Sequence, residues 1–576
     1  MTKIPTSKAV RVERHFGDRQ ILCYAQRPAN LVQLFAETIS RAPLALAIVD
    51  ERQRLSYREL DLLADTVAAQ LQARGLAAGE RIVLLTGNCA EFCVITLAAW
   101  RLGLIITPLN PRNVRAEVAF VLAQSEARAL IHEDWLADRA PLAGQVESCA
   151  FIIETGNLLR GSAATVGRFD AAVTTDPEDP TNTADAMLAS HHLTIRAPVS
   201  RHRAREEDLA VLLYTSGTTG RPKGAMLTHL NLIHSILHFA DAMALTEQSE
   251  RSLLAVPISH VTGLVAVWLT MVAVAGTTVV MREFKAKPCL ELLAAEQISH
   301  MIAVPAIYNL LLRDPDFAGY DLRHWRIGGF GGAPMPEPTI EALGRALPGL
   351  TLMNAYGATE TTSPVTLMPA GEQRANLDSV GKLLPCARLR VVDDDGRDLA
   401  VGQSGELWIA GPMVVPGYWN NPQASANEFV DGHWKSGDIG SIDAHGYVRV
   451  FDRKKDMINR GGYKVYSAEV ESVLVAHEAV LEAAVIGQTD PVLGERSHAY
   501  LVIRDGVHDG APAAGAAMTN NDENNGKLAA QLRAHCARHL ADYKIPDFIT
   551  LRTTALPRNP NGKVIKQQLR QQLRQT

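Results

Sequence analysis

The stretch Leu209-Ala-Val-Leu-Leu-Tyr-Thr-Ser-Gly-Thr-Thr-Gly-Arg-Pro-Lys-Gly224 carries the strongest structural signal in this sequence. Its apolar start, Leu209 to Leu213, predicts a buried strand that runs directly into a loop. The loop, Tyr214 to Gly224, holds three glycines, four Ser or Thr hydroxyls and Lys223. Such a loop exposes backbone N–H groups and hydroxyls together, which suits polyphosphate oxygens, and Lys223 adds a point charge. It is not a Walker A loop, because the order Gly-x-x-x-x-Gly-Lys-Ser/Thr is missing and a proline precedes the lysine.

The residues before this stretch alternate between helices and strands. Ser56 and Glu59 have the spacing of a capping box, at the start of a helix that Gly75 ends. Three apolar runs then predict strands, and two runs between them predict helices. The predicted strands are Arg81–Leu85, Leu104–Thr107 and Arg128–Ile131, and the predicted helices are Cys89–Leu102 and Val114–Gln124. This alternation indicates βαβ units, a parallel sheet and therefore an α/β fold.

The residues after the loop fall into further segments. A second α/β run reaches from Leu209 to about Asn354, and a β-rich segment follows from Ser379 to Phe451. Short strands are predicted in that segment at Arg388–Val392, Gly405–Ala410 and Tyr447–Phe451. From about Arg453 the pattern is α+β. It predicts a helix at Ser467–Val475 and strands at Leu481–Ile486 and Ala499–Ile503. Two polar stretches, 154–207 and 505–525, predict a surface excursion and a loop insert.

The overall composition limits the class of protein. The chain has 576 residues, 47% of them hydrophobic and 21% charged, which is enough for several domains with large cores. A formal charge of −5 predicts neither a nucleic-acid partner nor binding to an anionic membrane. Seven scattered cysteines predict free thiols in a reducing cytoplasm rather than disulfides or a metal site. The first residues lack the apolar core of a secretory signal, so we expect a cytoplasmic protein.

One long uncharged run needs a separate interpretation. Between Arg251 and Arg282 lie 30 residues without Asp, Glu, Lys or Arg, a length that would allow a membrane span. However, Pro257, His260 and Gly263 interrupt the run, and no Lys/Arg cluster flanks one end. We therefore expect a buried helix followed by a core strand of a parallel sheet, and no transmembrane segment.

A series of motifs in family order makes the sequence resemble the adenylate-forming superfamily. This superfamily holds the acyl- and aryl-CoA synthetases, the adenylation domains of nonribosomal peptide synthetases and firefly luciferase. The loop after Leu213 resembles the family's phosphate loop, and the other motifs follow it along the chain. They are Pro257–Gly263, Val304–Tyr308, Gly328–Pro334, Asn354–Glu360, Ser436–Asp438, Tyr447–Asp456, Arg460–Lys464 and Leu556–Lys563.

The resemblance implies a division of the chain into two domains. Residues 1–452 would form a large AMP-binding domain of two α/β subdomains and a small β-barrel-like subdomain. Residues 453–576 would form a small, mobile α+β domain. Lys455 matches the family's hinge between them, and Gly461 and Gly462 lie on the loop that reaches the site during thioester formation.

The resemblance also implies how ATP is bound. Tyr356 would stack on the adenine, because a flat aromatic face suits a base. Asp438 would accept hydrogen bonds from the ribose hydroxyls, and Glu360 would hold Mg²⁺, which prefers carboxylate and phosphate oxygens. The residues implied to bind the nucleotide are Thr215, Ser216, Gly217, Thr218, Thr219, Gly220, Lys223, Gly332, Ala333, Pro334, Tyr356, Gly357, Asp438 and Arg453.

The implied catalytic residues and the implied acyl pocket overlap at His260, which would lie near the substrate carboxylate. Thr359 would reach the phosphates, and Lys563 would contact carboxylate and phosphate oxygens during adenylation. The implied catalytic residues are His260, Thr359, Glu360 and Lys563. The implied acyl pocket consists of His260, Val261, Gly263, Leu264, Val304, Ala355 and Ala358.

The implied reaction is ATP-dependent acid–CoA ligation, with ATP, Mg²⁺ and coenzyme A as the required small molecules. The acid would attack the α-phosphate of ATP to give acyl-AMP and pyrophosphate, and the thiol of coenzyme A would then displace AMP. Pro257–Gly263 lacks the Asp that amino-acid-activating members carry, and because few residues follow Lys563 we expect no fused carrier domain. The apolar pocket favours a fatty or other hydrophobic acid, with an aromatic acid or a small dicarboxylic acid as alternatives.

Other functions are compatible with the same motifs. An acyl-AMP ligase that loads a separate carrier protein would form the adenylate but no acyl-CoA. A nucleotide-binding regulator without activity is a second alternative, against which the intact Glu360, Asp438 and Lys563 argue. A luciferase-like oxygenase is a third. The sequence leaves the oligomeric state open, a homodimer included.

Overall fold

The computed structural model describes residues 9–142, 144–159, 202–215, 222–504, 523–558 and 564–575. Some predictions lie outside these ranges. They concern Ser216–Gly220 of the phosphate loop, Lys563, most of the 154–207 excursion and most of the 505–525 insert. The fold is α/β, as the sequence predicts, with two large sheets, a smaller antiparallel sheet and a C-terminal α+β unit.

The chain up to Thr228 forms a hairpin, a six-stranded sheet and two strands that belong to a second, larger sheet. Its strands are β1 (Val10–His15), β2 (Arg19–Tyr24), β3 (Leu46–Val49), β4 (Arg54–Ser56), β5 (Arg81–Leu85), β6 (Ile105–Leu109), β7 (Ala129–His132), β8 (Phe151–Glu154), β9 (Leu209–Thr215) and β10 (Lys223–Thr228). Its helices are α1 (Leu31–Arg41), α2 (Tyr57–Ala73), α3 (Ala90–Arg101), α4 (Arg115–Gln124) and α5 (Thr155–Leu159). The sheet order is β10-β9-β6-β5-β7-β8, and only β9 and β10 pair antiparallel. The predicted βαβ units are therefore confirmed.

Helix α2 begins at the predicted capping box. The backbone N–H of Ser56 donates to Glu59 Oε2 at 2.8 Å, and the backbone N–H of Glu59 donates to Ser56 Oγ at 3.3 Å. Gly75 follows the helix with a φ of 79°, which glycine adopts without strain. The predicted start and end of this helix are thus confirmed.

The second large sheet has nine strands, and most of it is parallel. Its further strands are β11 (Arg251–Leu254), β12 (Thr277–Val280), β13 (His300–Ala303), β14 (Ile327–Gly331), β15 (Thr351–Tyr356), β16 (Thr366–Leu367) and β17 (Lys382–Leu383). Its helices are α6 (His229–Ala242), a π-helix (Thr262–Leu269), α7 (Thr270–Ala273), α8 (Ala286–Ala295), α9 (Pro305–Leu312) and α10 (Glu337–Ala346). The order β17-β16-β15-β14-β13-β11-β12-β3-β4 places the N-terminal strands β3 and β4 at one edge of this sheet.

The uncharged run lies inside this second subdomain. β11 precedes it, the π-helix and α7 occupy its middle, and β12 ends it. These elements are almost completely buried, so the expected buried helix followed by a core strand is confirmed. Among the described residues, no helix is long and apolar enough to cross a membrane.

The β-rich segment forms a five-stranded antiparallel sheet. Its strands are β18 (Arg388–Val392), β19 (Gly405–Ala410), β20 (Phe429–Val430), β21 (His433–Ile442) and β22 (Val448–Arg453), with α11 (Pro422–Glu428) before β20. β18 and β19 have the predicted bounds. The hydrophobic core that begins at Leu31 extends as far as Trp434, so this sheet packs on the same body as the two larger ones.

The C-terminal unit has its own sheet and its own core. Its strands are β23 (Ile458–Arg460), β24 (Tyr463–Val465), β25 (Val480–Asp490), β26 (Gly494–Ile503) and β27 (Phe548–Arg552), and its helices are α12 (Ser467–Val475), α13 (Glu523–His539) and α14 (Lys566–Gln575). A separate cluster of buried residues from Ile458 to Leu551 fills this unit. α12 has the predicted bounds, and β25 and β26 extend beyond the predicted strands.

The cysteines follow the prediction of free thiols. All seven are free, and all are buried except the half-buried Cys149. Burial raises the pKa of Cys23, Cys289 and Cys386 to about 12 in each case. These thiols therefore remain protonated at neutral pH and behave as small apolar core residues.

Candidate active site

Four neighbouring strands of the nine-stranded sheet end at one edge and carry four of the motifs there. β15, β14, β13 and β11 are adjacent and mutually parallel. They lead into the motif residues Gly357–Glu360, Gly332–Pro334, Val304–Tyr308 and Pro257–Gly263, respectively. Ligands of open α/β sheets bind at the carboxyl ends of the strands. The candidate site therefore lies at this edge.

The six-stranded sheet contributes the hairpin β9–β10 to the same edge. Thr215, the last residue of β9, pairs with Lys223, the first residue of β10, and the phosphate loop joins them. Thr215 Oγ1 lies 3.4 Å from Glu360 Oε1. The predicted phosphate loop and the predicted metal ligand are thus brought together across the two sheets.

Glu360 belongs to a largely buried polar cluster around Tyr418, in which Glu428 is half-buried. The Tyr418 hydroxyl lies 2.9 Å from Glu360 Oε1 and 2.6 Å from Glu428 Oε2. Lys223 Nζ lies 2.5 Å from Glu428 Oε1 and 4.3 Å from the centre of the Tyr418 ring. Burial, then the nearby carboxylates of Glu360 and Glu428, raise the pKa of Tyr418 far above its ordinary value, so this hydroxyl keeps its proton.

A second polar cluster surrounds Asp438, on the antiparallel sheet. Asp438 Oδ2 accepts a hydrogen bond of 2.6 Å from the Tyr356 hydroxyl, and Asp438 Oδ1 lies 2.7 Å from Arg453 Nε. Asp438 on β21 is also the register partner of Arg453 on β22. Burial, and then the Asp438 carboxylate, raise the pKa of Tyr356 well above its ordinary value. The residues predicted to bind adenine and ribose are therefore in direct contact with each other.

The segment Pro257–Gly263 is fixed by a buried asparagine. Asn88 Nδ2 donates to the carbonyl oxygens of Val256 and Met281, each at 3.0 Å, and Asn88 Oδ1 accepts from the Ile258 N–H at 2.8 Å. At Gly263, an added Cβ would lie 2.3 Å from the carbonyl oxygen of Pro257. Only glycine fits there, so the turn at His260 and the start of the π-helix pack closely.

The remaining predicted residues of the large domain differ in exposure. Gly332, Ala333 and Pro334 are exposed, and Gly332 has a φ of 77°. Val304 is 44% exposed at the N-terminus of α9, whereas Leu264 is completely buried in the core. The half-buried residues are His260, Val261, Tyr356, Gly357, Ala358, Thr359 and Ala355. Thr359 begins the short 3-10 turn Thr359–Thr361, which holds Glu360 at the end of β15.

In the C-terminal unit, three predicted residues lie on exposed loops. Lys455 lies two residues after the end of β22, between the two cores. Gly461 and Gly462 connect β23 to β24 with φ values of 60° and 89°, which favour glycine. The Gly461 N–H donates to the Leu493 carbonyl oxygen at 2.7 Å.

A cleft of about 410 Å³ is lined by residues outside the motifs. It is lined by Arg52 and four carboxylates, those of Glu91, Glu133, Asp134 and Glu154. Glu133 is already satisfied, because it accepts from the Gly87 N–H and pairs with Arg282, each at 2.7 Å. The cleft contains none of the predicted site residues.

Sequence reasoning missed three residues that organise the site: Asn88, Tyr418 and Glu428. Asn88 follows the buried strand β5, and a polar residue at the carboxyl end of a parallel strand is a usable signal. The contact of Glu428 with Lys223 joins positions 205 residues apart, and no local pattern encodes it. Tyr418 likewise has no local signal in the sequence beyond being an aromatic residue after a glycine.

The donor set at the edge fits the small molecules that the sequence implies. A buried carboxylate and a threonine hydroxyl, Glu360 and Thr215, supply the oxygen ligands that Mg²⁺ prefers. Asp438 and Tyr356 offer a carboxylate and an aromatic face for a nucleoside, and Lys223 and Arg453 offer positive charge for phosphates. The fold and these clusters define a nucleotide-binding enzyme of the adenylate-forming type.

The family comparison gives the same result over most of the chain. The family model described as AMP-binding enzyme matches residues 35–419, and that described as AMP-binding enzyme C-terminal domain matches residues 469–563. The chain therefore belongs to the AMP-binding enzyme family.

Relatives and solved structures agree with this assignment. The chain is 32% identical over 525 residues to a long-chain-fatty-acid–CoA ligase of Mycobacterium tuberculosis, covering 90% of this chain and 93% of that one. It is 31% identical to a feruloyl-CoA synthase of Amycolatopsis sp, over 92% and 96% of the two chains. The o-succinylbenzoate CoA synthetase of Bacillus subtilis with its acyl-adenylate intermediate has a TM-score of 0.77 and 28% identity, over 94% and 98% of the chains. The same synthetase has also been solved with ATP and magnesium ion.

These findings confirm the predicted superfamily, fold class and enzyme class. The chain is an acyl-CoA synthetase, and ATP, Mg²⁺ and coenzyme A are the small molecules that this activity requires.

Proposed function

We propose that this acid–CoA ligase activates a fatty or otherwise hydrophobic carboxylic acid. The observation that supports this most directly is the segment at the end of β11, Pro257–Gly263, which contains no Asp, Glu, Lys or Arg. The neighbouring residues Val261, Ala355 and Ala358 are half-buried and apolar, so these described residues offer no charged partner for a second polar end of the acid. The similarity to a long-chain-fatty-acid–CoA ligase points the same way.

An aromatic acid is the second candidate. It is favoured by the similarity to a feruloyl-CoA synthase and by the small side chains of Ala355 and Ala358, which would leave room for a flat ring. A panel of acids separates the two candidates directly.

For the nucleotide, we propose the roles that the family resemblance implies. Asp438 accepts hydrogen bonds from the ribose hydroxyls, Tyr356 and the Gly332–Pro334 segment border the adenine, and Arg453 contacts ribose and phosphate. The contacts of Asp438 with Tyr356 and Arg453 support this, because they already hold the carboxylate in one orientation.

For the polyphosphate, we propose that Lys223, Thr215, Thr359 and the loop Ser216–Gly220 bind its oxygens, and that Glu360 holds Mg²⁺. Mg²⁺ would neutralise phosphate charge when bound. Lys223, Arg453 and Lys563 supply the remaining positive charge that lets a carboxylate approach the α-phosphorus. The carboxylate oxygen forms the new bond to phosphorus and pyrophosphate leaves. Catalysis then rests on positioning and charge neutralisation rather than on a protein nucleophile.

We propose that the chain divides functionally into residues 1–452 and 453–576, with Lys455 as the hinge. The separate cores on either side of Lys455 support this division. Lys563 would serve adenylation, and Gly461 and Gly462 would replace it near the site when the thiol displaces AMP. His260 would lie beside the acid's carboxylate, and the free thiols favour a cytoplasmic location.

The test is acid-dependent exchange between pyrophosphate and ATP over a panel of fatty, aromatic and dicarboxylic acids, followed by mass detection of acyl-CoA. We expect the fastest exchange with a hydrophobic acid, and acyl-CoA only when coenzyme A is added. Lys563→Ala should abolish exchange. Lys287→Ala, at an exposed lysine paired with the equally exposed Asp316, should not. Exchange without acyl-CoA formation would instead indicate transfer to a carrier protein, and unchanged exchange in Lys563→Ala would refute the assigned role.

A further inference from the structure

The lysine that we assign to the ATP polyphosphate already has an anionic partner in the protein. Lys223 is only 9% exposed, and its ammonium nitrogen lies 2.5 Å from Glu428 Oε1. The same nitrogen lies above the Tyr418 ring, 4.3 Å from its centre. A polyphosphate that binds Lys223 must therefore compete with, or displace, a carboxylate of the protein itself.

Backbone contacts fix the position of this pair. The Trp419 N–H donates to the Gly224 carbonyl oxygen at 2.8 Å, and Tyr418 forms a β-bridge with Ala225, two residues after Lys223 on β10. The Tyr418 N–H in turn donates to Ser425 Oγ at 2.9 Å, which ties it to α11. Lys223, Tyr418 and Glu428 thus lie on segments that are hydrogen-bonded to each other. The backbone therefore fixes the relative position of Lys223 and Glu428.

Tyr418 also connects the pair to the proposed metal ligand. Its hydroxyl has one hydrogen but lies within hydrogen-bond distance of two carboxylates, 2.6 Å from Glu428 and 2.9 Å from Glu360. The hydrogen can satisfy only one of them at a time. The shorter distance favours Glu428, which leaves the oxygen of Glu360 available to a cation. Glu428 therefore lies where it holds both Lys223 and the Tyr418 hydroxyl.

We propose that Glu428 is a positioning residue that holds Lys223 in the nucleotide-free enzyme and releases it to the ATP polyphosphate. The proposal rests on the assignment of Lys223 to the polyphosphate under the proposed function. ATP binds only to those enzyme molecules in which the lysine is free. The apparent affinity for ATP is therefore the intrinsic affinity multiplied by the fraction of molecules with a free lysine. Glu428 thereby sets the affinity for ATP, and it keeps a buried ammonium paired while the site is empty.

The test is direct calorimetric binding of ATP with Mg²⁺, without acid, so that no turnover contributes. In Glu428→Gln the amide oxygen can still accept from Lys223, but the charge is gone. In Glu428→Asp the charge remains, but the carboxylate is drawn back by one methylene. We expect both variants to lower the Kd for ATP by about three- to tenfold. A change in Glu428→Gln alone would indicate simple charge repulsion and would overturn the proposal, as would an unchanged or higher Kd in both.

The chain offers a matched control. Lys382 Nζ lies 4.3 Å from the centre of the Tyr447 ring and 3.8 Å from Glu372 Oε2, and the Tyr447 hydroxyl donates to Glu372. This is the same arrangement of three residue types, but outside the residues proposed to bind ATP. Glu372→Gln should leave the Kd unchanged, and a circular-dichroism melt of each variant checks that it is folded.

Lys223→Met distinguishes a failure of the role proposed for Lys223 from a failure of the role proposed for Glu428. If Lys223→Met does not weaken ATP binding, the assigned role of Lys223 is wrong. If it does weaken binding, the effect of Glu428→Gln should largely disappear in the double variant, because the two residues act through one contact. A persistent effect of Glu428→Gln in the Lys223→Met background would overturn the positioning role of Glu428 while leaving the role of Lys223 intact.

Discussion

At the scale of single residues, Asp438 shows how a site can be oriented before its ligand arrives. The carboxylate is buried, and the Tyr356 hydroxyl and Arg453 each hold one of its oxygens. A carboxylate held in this way loses little freedom when it accepts hydrogen bonds from a diol. Its partners come from the end of β15 and from β22, so two different sheets position one side chain.

We expect Asp438→Asn to weaken ATP binding by about ten- to a hundredfold, because hydrogen bonds to a charged group are worth roughly 1.5–3 kcal/mol. Calorimetric titration with ATP measures this. Asp443→Asn is the control, since Asp443 lies just after the same strand and pairs with Arg449, 2.7 Å away, rather than with the site. Equal Kd values for Asp438→Asn and the unmodified enzyme would mean that the ribose is bound elsewhere.

At the scale of elements, the turn before the π-helix connects packing to function. Gly263 allows the π-helix to begin against the carbonyl oxygen of Pro257, and Asn88 fixes the same turn from the other side. π-helical turns are rare and are found disproportionately at functional sites. Here the turn contains His260 and Val261, which are half-buried and follow β11, one of the four strands that end at this edge.

We expect Gly263→Ala to destabilise the large domain by about 1–3 kcal/mol, because the added Cβ would lie 2.3 Å from the Pro257 carbonyl oxygen and the backbone must shift. The same shift should raise the KM for the acid more than the KM for ATP. Urea unfolding and initial rates measure the two effects. Gly349→Ala is the control, because nothing lies within 4 Å of an added Cβ there. A stable Gly263→Ala enzyme with unchanged KM values would contradict this account of the turn.

The elements that could be predicted from the sequence are those with a local signal. Arg81–Leu85, Arg388–Val392, Gly405–Ala410 and Ser467–Val475 have continuous apolar runs or clear turn residues at both ends, and the structure reproduces their bounds. The hairpin β1–β2 has no such signal, because its first strand carries exposed charged residues such as Arg11 and Arg14. Glu13 of β1 pairs with Arg27, which also pairs with Glu206, a residue far away in the sequence.

The same distinction applies to the site. The resemblance of its motifs to those of the family pointed to Thr215, Lys223, Tyr356, Glu360 and Asp438, and the structure places Thr215 beside Glu360 and Tyr356 beside Asp438. The contacts of Glu428 and Tyr418 with Lys223 form only because the fold places α11 and Tyr418 beside β10. Residues that act on a ligand leave a local pattern, whereas residues that position them depend on the tertiary fold.

At the scale of the whole molecule, the two cores meet at a short connection. The rings of Phe451 and Tyr466 lie 5.4 Å apart across it, and the Ser467 N–H donates to the Asp452 carboxylate. Lys455 lies between them on an exposed turn, and Arg570 of α14 donates to its carbonyl oxygen at 3.3 Å. Ion pairs lie on both sides of this turn, from Lys454 to Asp394 and Glu406 and from Arg570 to Asp456, so a rotation at Lys455 would have to break or rearrange some of them.

We expect Lys455→Pro to separate the two half-reactions, because proline fixes its own φ and restricts the residue before it. Acid-dependent pyrophosphate exchange should stay within a few-fold of the unmodified enzyme, which also shows that the variant is folded. Acyl-CoA formation from supplied acyl-AMP should fall by roughly a hundredfold, since a small misplacement of reacting groups has effects of that size. Lys455→Ala removes the side chain but leaves the backbone free, so it should retain both activities. If Lys455→Pro slows both half-reactions equally, or neither, then the C-terminal unit does not exchange Lys563 for Gly461 and Gly462 by rotating at this residue.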